Sequence, residues 1–185
     1  MSMTLVHHRF TVDEYEQMVE CGILSERDRV ELIRGEILEK MPIGERHAGC
    51  VNHLNSLLAA AVGKRAVVAI QNPVIFPDSQ PEPDVALLLP RDDFYKSVKP
   101  RPKDVLLVIE VADSTLDFDR DIKGAMYAQS GIQEYWILNL LDNCLEVHRQ
   151  PQSDGTFRDV RTLPCGHSVE IATLPDVTVA VADVL

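Results

Sequence analysis

Hydrophobic positions along the chain change period several times, and each change marks an element. TVDEYEQMVECG, residues 11–22, carries Tyr15, Met18 and Val19 on one helical face. Thr11 stands where an N-cap belongs and Glu14 follows three residues later, the spacing of a capping box; Gly22 suits the end. In RVELIRGEILEKM, Val30, Leu32, Ile37 and Leu38 flank Arg34-Gly35, which reads as strand, tight turn, strand. Glu31, Ile33 and Gly35 alternate with the Val30 and Leu32 face. ERHAGCVNHLNSLLAAAVG is the clearest long helix, with Val51, Leu54, Leu57, Leu58 and Ala61 at helical spacing and Gly63 placed to end it.

Strands then dominate. AVVAIQNPVIF, broken by Pro73, is one; PDVALLL and DVLLVIEVA are the second and third. A helix over DFDRDIKGAMYAQSG turns Phe118, Ile122 and Ala125 to its apolar side. EYWILNL is a fourth core strand, and LDNC turns it into a hairpin partner, CLEVHRQ. The tail, SVEIATLPDVTVAVADVL, is apolar, punctuated by Pro175, and expected to pack on the body as extended segments. Helix, three strands, helix, strand predicts an α/β fold with a mixed β-sheet flanked by α-helices. No repeat or linker interrupts the chain, so residues 1–185 read as a single domain. There is no GxGxxG, P-loop or GxSxG.

Composition narrows the class. The chain is 45% hydrophobic and 25% charged, as a soluble globular protein is. No apolar run is long enough for a bilayer, and MSMTLVHHRF lacks the apolar core of a signal peptide; the expectation is a cytoplasmic protein with no membrane partner. Cys21, Cys50, Cys144 and Cys165 are widely spaced and form no CxxC, so reduced, mostly buried thiols are expected rather than a zinc site or a disulfide framework. A net charge of −11 counts against a general nucleic-acid binder but leaves room for a local basic patch.

Three polar residues do not fit the core. Glu110 lies inside the apolar run of DVLLVIEVA, sharing a face with Leu106, Val108 and Ala112. A charge buried there must be neutralised, paired or compensated. Asp84 opens the preceding strand, and if the two strands are neighbours the carboxylates converge on a site for a hard cation, Mg²⁺ or Mn²⁺. Lys123 follows on the next helix, spaced four residues from both Asp119 and Tyr127, on a face at the margin of the core. Two metal-binding acids and a cation are the parts needed to hydrolyse a phosphodiester. Each residue also has an ordinary role: Asp84 as a turn residue after Pro83, Lys123 as a solvated residue paired with Asp119, and Glu110 as the structural partner of Lys123.

QNPVIFPDSQPEPDVALLLP and RPKDVLLVIEVADSTLDFDRDIKGAMYAQSGIQEYWILNL closely resemble the Uma-two family, within the PD-(D/E)XK, restriction-endonuclease-like superfamily. RVELIRGEI and ERHAGCVNHLNSLL resemble its upstream segments, so the likeness runs from about Phe10 to the end. The resemblance implies a restriction-endonuclease-like core and metal-dependent phosphodiester hydrolysis; with the acidic pair, the expectation is a Mg²⁺- or Mn²⁺-dependent endonuclease acting on DNA. It matches Pro83-Asp84 to the PD element and Glu110 to the acidic residue of (D/E)XK. The position where the superfamily carries lysine is Ala112, and the family pattern moves that lysine to Lys123, within Asp119-Arg120-x-x-Lys123. It further matches Glu31, His47 and Gln71 to family positions, in subordinate roles: a third carboxylate, a phosphate or water contact, and a polar group of the cleft. Arg34 stands where relatives often carry Asp.

RDDFYKSVKPRPK, between the two acidic strands, holds Lys96, Lys99 and Arg101 with Phe94 and Tyr95 nearby. It is either a contact for the phosphates and bases of a single strand or a solvated loop stiffened by Pro100 and Pro102. Two readings of function follow: a metal-dependent DNA endonuclease, for which a homodimer would present two sites to a duplex, or a non-catalytic nucleic-acid- or protein-binding module that keeps the fold.

Overall fold

The computed structural model describes residues 7–25 and 27–185, so the N-terminal expectation falls largely on residues 1–6, outside the described ones. Helix α1 (Val12–Glu20) starts at the capping box: the Thr11 hydroxyl accepts from the Glu14 N–H while the Glu14 carboxylate accepts from the Thr11 N–H. Its buried residues are Val12 and Tyr15; Val19, expected inside, is exposed. Strands β1 (Val30–Ile33) and β2 (Glu36–Glu39) form the hairpin, and Arg34 and Gly35 both take the positive φ that a tight two-residue turn demands. Helix α2 (Glu45–Val62) follows and ends at Gly63.

The central sheet has six strands in the order β3 (Val67–Ile70), β4 (Val85–Leu88), β5 (Val105–Ala112), β6 (Glu134–Asn139), β7 (Cys144–Pro151), β8 (Phe157–Pro164). Only β5 and β6 run parallel; the other pairs are antiparallel. A parallel pair needs a crossover, here a π-helical segment, Phe118–Lys123, running into α3 (Gly124–Gln129). The chain closes with a separate hairpin, β9 (Ser168–Ile171) and β10 (Leu174–Ala180).

Side chains alternate across β5 and fill two cores. Leu107, Ile109 and Val111 pack with α2 and the C-terminal hairpin; Val108 and Ala112 pack with Tyr127, Tyr135 and Phe76 on the other face. Leu106 was expected beside Val108, but it is the extra residue of a bulge and packs with the first core. Strand β3 is shorter than expected, because Gln71 takes a positive φ and ends it before Pro73. Strand β8 carries no apolar alternation to announce it: it is an edge strand held by backbone pairing to β7. Of the four free cysteines, Cys50 and Cys144 are buried, whereas Cys21 and Cys165 are exposed, against the expectation of mostly buried thiols. No helix among the described residues is long and apolar enough to cross a membrane.

Candidate active site

A cleft of about 1390 Å³ opens between the β1–β2 hairpin, α1 and the near half of the sheet, and Glu31, His47, Gln71, Asp84, Glu110 and Lys123 all line it. Glu31 projects from β1, 6% exposed, where its Oε2 accepts the Glu82 N–H. His47 sits in the first turn of α2. Gln71 and Asp84 meet at the adjoining ends of β3 and β4, where the Gln71 N–H bonds the carbonyls of Pro83 and Asp84.

Asp84 and Glu110 lie side by side because β4 and β5 are antiparallel neighbours, with Val85 opposite Ile109. The Asp84 N–H donates to Glu110 Oε2 at 3.2 Å, and the Val111 N–H donates to Asp84 Oδ2 at 2.9 Å. His47 Nε2 lies 2.9 Å from the same Oδ2, and Gln71 Nε2 donates to Oδ1 at 3.2 Å. Burial pushes the Asp84 carboxyl up, but the bonds from His47, Val111 and Gln71 outweigh it and hold Asp84 below the ordinary carboxylate value. The same contact raises His47 against the opposing effect of burial. An ionised Asp84 only accepts, so Nε2 carries the proton; Nδ1 is buried with no partner among the described residues.

The helix face expected at the core margin is the buried one. Asp119 and Lys123 are 3% and 7% exposed and Tyr127 is fully enclosed, whereas Ile122, expected inside, is 37% exposed. The Gly124 N–H bonds the Asp119 carbonyl five residues back, a wider turn than the α-helical one used to read the face. The Tyr135 hydroxyl donates to that carbonyl at 3.0 Å.

Lys123 Nζ reaches Glu110 Oε1 at 3.0 Å, Glu31 Oε1 at 3.5 Å and Asp119 Oδ1 at 4.0 Å. The Tyr127 hydroxyl donates to Glu110 Oε1 at 2.7 Å, and the Thr115 hydroxyl to Asp119 Oδ2 at 2.6 Å. Burial lifts Glu110 to about 8 and Asp119 to about 6, against the pull of Lys123. Burial works against the Lys123 charge too, but Glu110, Glu31 and Asp119 together raise it above the usual lysine value. The 3.0 Å bond and the three carboxylates around one ammonium favour the charged pair, with Glu110 a carboxylate that takes up a proton readily.

Among the described residues no three His, Cys, Asp or Glu side chains form a ready-made cation cage. Magnesium does not need one; it commonly takes one or two carboxylates and keeps its waters. Asp84 Oδ1 and Glu110 Oε2 each accept a single hydrogen bond, of 3.2 Å, and retain acceptor capacity. Four buried or half-buried carboxylates, Glu31, Asp84, Glu110 and Asp119, line the cleft beside one buried ammonium, which contacts all but Asp84, so the donor set suits a further cation.

The basic residues divide. Lys99 and Arg101 line the cleft, though Lys99 is paired with Glu16 on α1; Lys96 is exposed and outside the lining. Phe94 is 67% exposed. Asp119, Thr115 and Tyr127 join the site without having been named as site residues: Asp119 was marked by its place in Asp119-Arg120-x-x-Lys123, Asp119 and Tyr127 by their four-residue spacing from Lys123, and Thr115 by nothing in the sequence.

A six-stranded mixed sheet between helices, with an acidic cleft at the ends of β4 and β5, is a nuclease-like α/β fold. It superposes on the crystal structure of a putative nuclease belonging to DUF820 from Anabaena variabilis ATCC 29413, with a TM-score of 0.73 and 16% identity, covering 95% of this chain and 97% of that one. No curated protein sequence matches the chain. The chain belongs to the Uma2 family, described as "Putative restriction endonuclease", whose model matches residues 12–182.

Proposed function

We propose that this protein is a divalent-metal-dependent endonuclease that hydrolyses DNA phosphodiester bonds. The observation that carries the reading is convergence: six polar residues scattered from Glu31 to Lys123 line one cleft, with Asp84 and Glu110 in direct contact through the Asp84 N–H. Asp84 and Glu110 would hold Mg²⁺ or Mn²⁺. When bound, such an ion lowers the pKa of water and offsets charge on a phosphoryl oxygen.

The chain's own residues supply the rest. Lys123 presents the one buried ammonium of the cleft, placed to neutralise charge that grows on the phosphate or to orient water. Ala112, where the superfamily carries lysine, is fully buried in the second core, so the cation comes from the helix instead. His47 and Gln71 keep Asp84 ionised and aimed. Gln71 holds a positive φ at roughly 1–3 kcal/mol of strain, a cost expected where geometry serves a site. Tyr127 fixes the Glu110 carboxylate, and Glu31 gives Lys123 a second carboxylate partner. Lys99 and Arg101 offer phosphate contacts that weaken as salt rises.

Plasmid and short-duplex cleavage with Mg²⁺, Mn²⁺ or a chelator tests this. The wild type should cut only with metal, and Glu110→Ala should lower the rate at least about a hundredfold while keeping its circular dichroism. Unchanged cleavage by that variant rejects the reading. One observation favours a binding module instead: Glu110 Oε1 is already satisfied by Lys123 and Tyr127. That module would bind DNA equally well with and without metal and yield no product.

A further inference from the structure

Strand β8 forms the far edge of the sheet, three strands from β5, and takes no part in the cleft. It pairs with β7, and no other strand pairs with it among the described residues. Its sequence is FRDVRTLP. Val160 is 52% exposed, and Asp159 and Arg161, two residues apart, form an ion pair at 2.9 Å.

The direction of its backbone groups follows from the ladder. The Leu140 N–H bonds the Ala112 carbonyl, and Ala112 is paired with Asn139, so even-numbered residues of β6 turn their N–H and C=O towards β5. Alternation then directs odd residues of β6 to β7, odd residues of β7 to β8, and odd residues of β8 back to β7. Val160 and Thr162 therefore point their N–H and C=O groups off the edge.

We propose that β8 pairs antiparallel with β8 of a second copy of this chain, about a two-fold axis at Val160, joining two six-stranded sheets into one. In this register Val160 faces Val160 of the second copy. Asp159 lies opposite Arg161 of the second copy, and the reverse, so four charges alternate in sign around the axis. The next register in one direction sets Arg161 against Arg161; the next in the other sets Asp159 against Asp159. Like charges directly opposite are destabilising. Odd shifts set outward groups of one strand against inward groups of the other. Charges on an edge strand ordinarily discourage pairing; here their order, Asp-Val-Arg, is complementary to itself in a single register. Pro164, with no N–H, bounds the paired stretch. The clefts stay free, because β8 lies away from β5.

Sedimentation of the full chain from about 1 to about 200 µM tests the pairing. The wild type should show a concentration-dependent dimer. Asp159→Arg and Arg161→Asp should each weaken it about tenfold or more, since each sets two like-charge pairs face to face. The double exchange, Asp159→Arg with Arg161→Asp, should restore it. Val160→Pro removes an outward N–H but no bond to β7, so it should yield a folded monomer by circular dichroism. A wild type that stays monomeric across the range overturns the proposal. So does a dimer indifferent to the single reversals, or a double variant as weak as the singles.

Discussion

Glu110 is 2% exposed in the middle of an apolar strand, and what keeps it there is now explicit. Lys123, Tyr127 and the Asp84 N–H satisfy its oxygens, and the same ammonium serves Glu31 and Asp119. Lys123→Met would leave three buried carboxylates without their cation. It should cost about 3–5 kcal/mol in urea unfolding near neutral pH, the usual penalty for breaking one side of a buried pair. Adding Glu110→Gln should recover part of that loss. A double variant whose loss equals the sum of the singles would show that the two side chains are not coupled.

Between residues and molecule, two short elements place the site. The β1–β2 hairpin delivers Glu31 to the cleft, and its turn is pinned: the Gly35 N–H bonds Asp78, and the Gly35 carbonyl accepts from Phe10. A Cβ at Gly35 would lie 2.9 Å from the Arg9 Cβ and 3.1 Å from the Phe10 carbonyl, at φ +76°. Gly35→Ala should therefore cost about 1–3 kcal/mol, read as a lowered melting temperature. The capping box of α1 and this turn were both legible in the sequence, because each is a local rule that a few adjacent residues satisfy. The segment Phe118–Lys123 was not. An α-helical period put Ile122 inside, whereas the five-residue bond at Gly124 shifts the buried face, the Glu110 and Glu31 carboxylates draw Lys123 inward, and Asp119 follows as a partner of Lys123 and Thr115.

At the scale of the molecule, stability should respond to pH on two sides. Glu146 on β7 is held at about 2: burial opposes its charge, but contacts with His148, Arg120 and Asn139 prevail. A depressed folded pKa means stability present above the ordinary value of 4.5 and lost as pH falls towards about 2. The ceiling is about 3 kcal/mol, reduced to roughly 1–2 by solvent around the partly exposed Arg120. Asp119 is raised to about 6, so its contribution is fully present below the ordinary value of 3.8 and is lost as pH rises through about 6. Urea titrations across pH 2.5–7.5 should show a shallower acid limb in Glu146→Gln and a shallower neutral limb in Asp119→Asn, each relative to the wild type. Parallel curves for variant and wild type would contradict the respective contact.

The order of strands and helices as far as β7, the long helix, the hairpin and the acid in the third core strand were all present in the sequence, since periodicity, caps and turns act over a few residues. Its likeness to a family also brought Glu31, His47 and Gln71 into view, although Glu31 alone would have read as solvent-facing. What only the tertiary structure decided is long-range. The antiparallel pairing of β4 with β5 brings Asp84 against Glu110, residues 26 apart. The crossover between β5 and β6 swings Lys123 over both Glu110 and Glu31. Strand β8, unmarked by hydrophobic alternation, exists because β7 offers it a ladder. Contacts between residues far apart in the chain, and backbone bonds that do not depend on side-chain type, leave no local pattern to read.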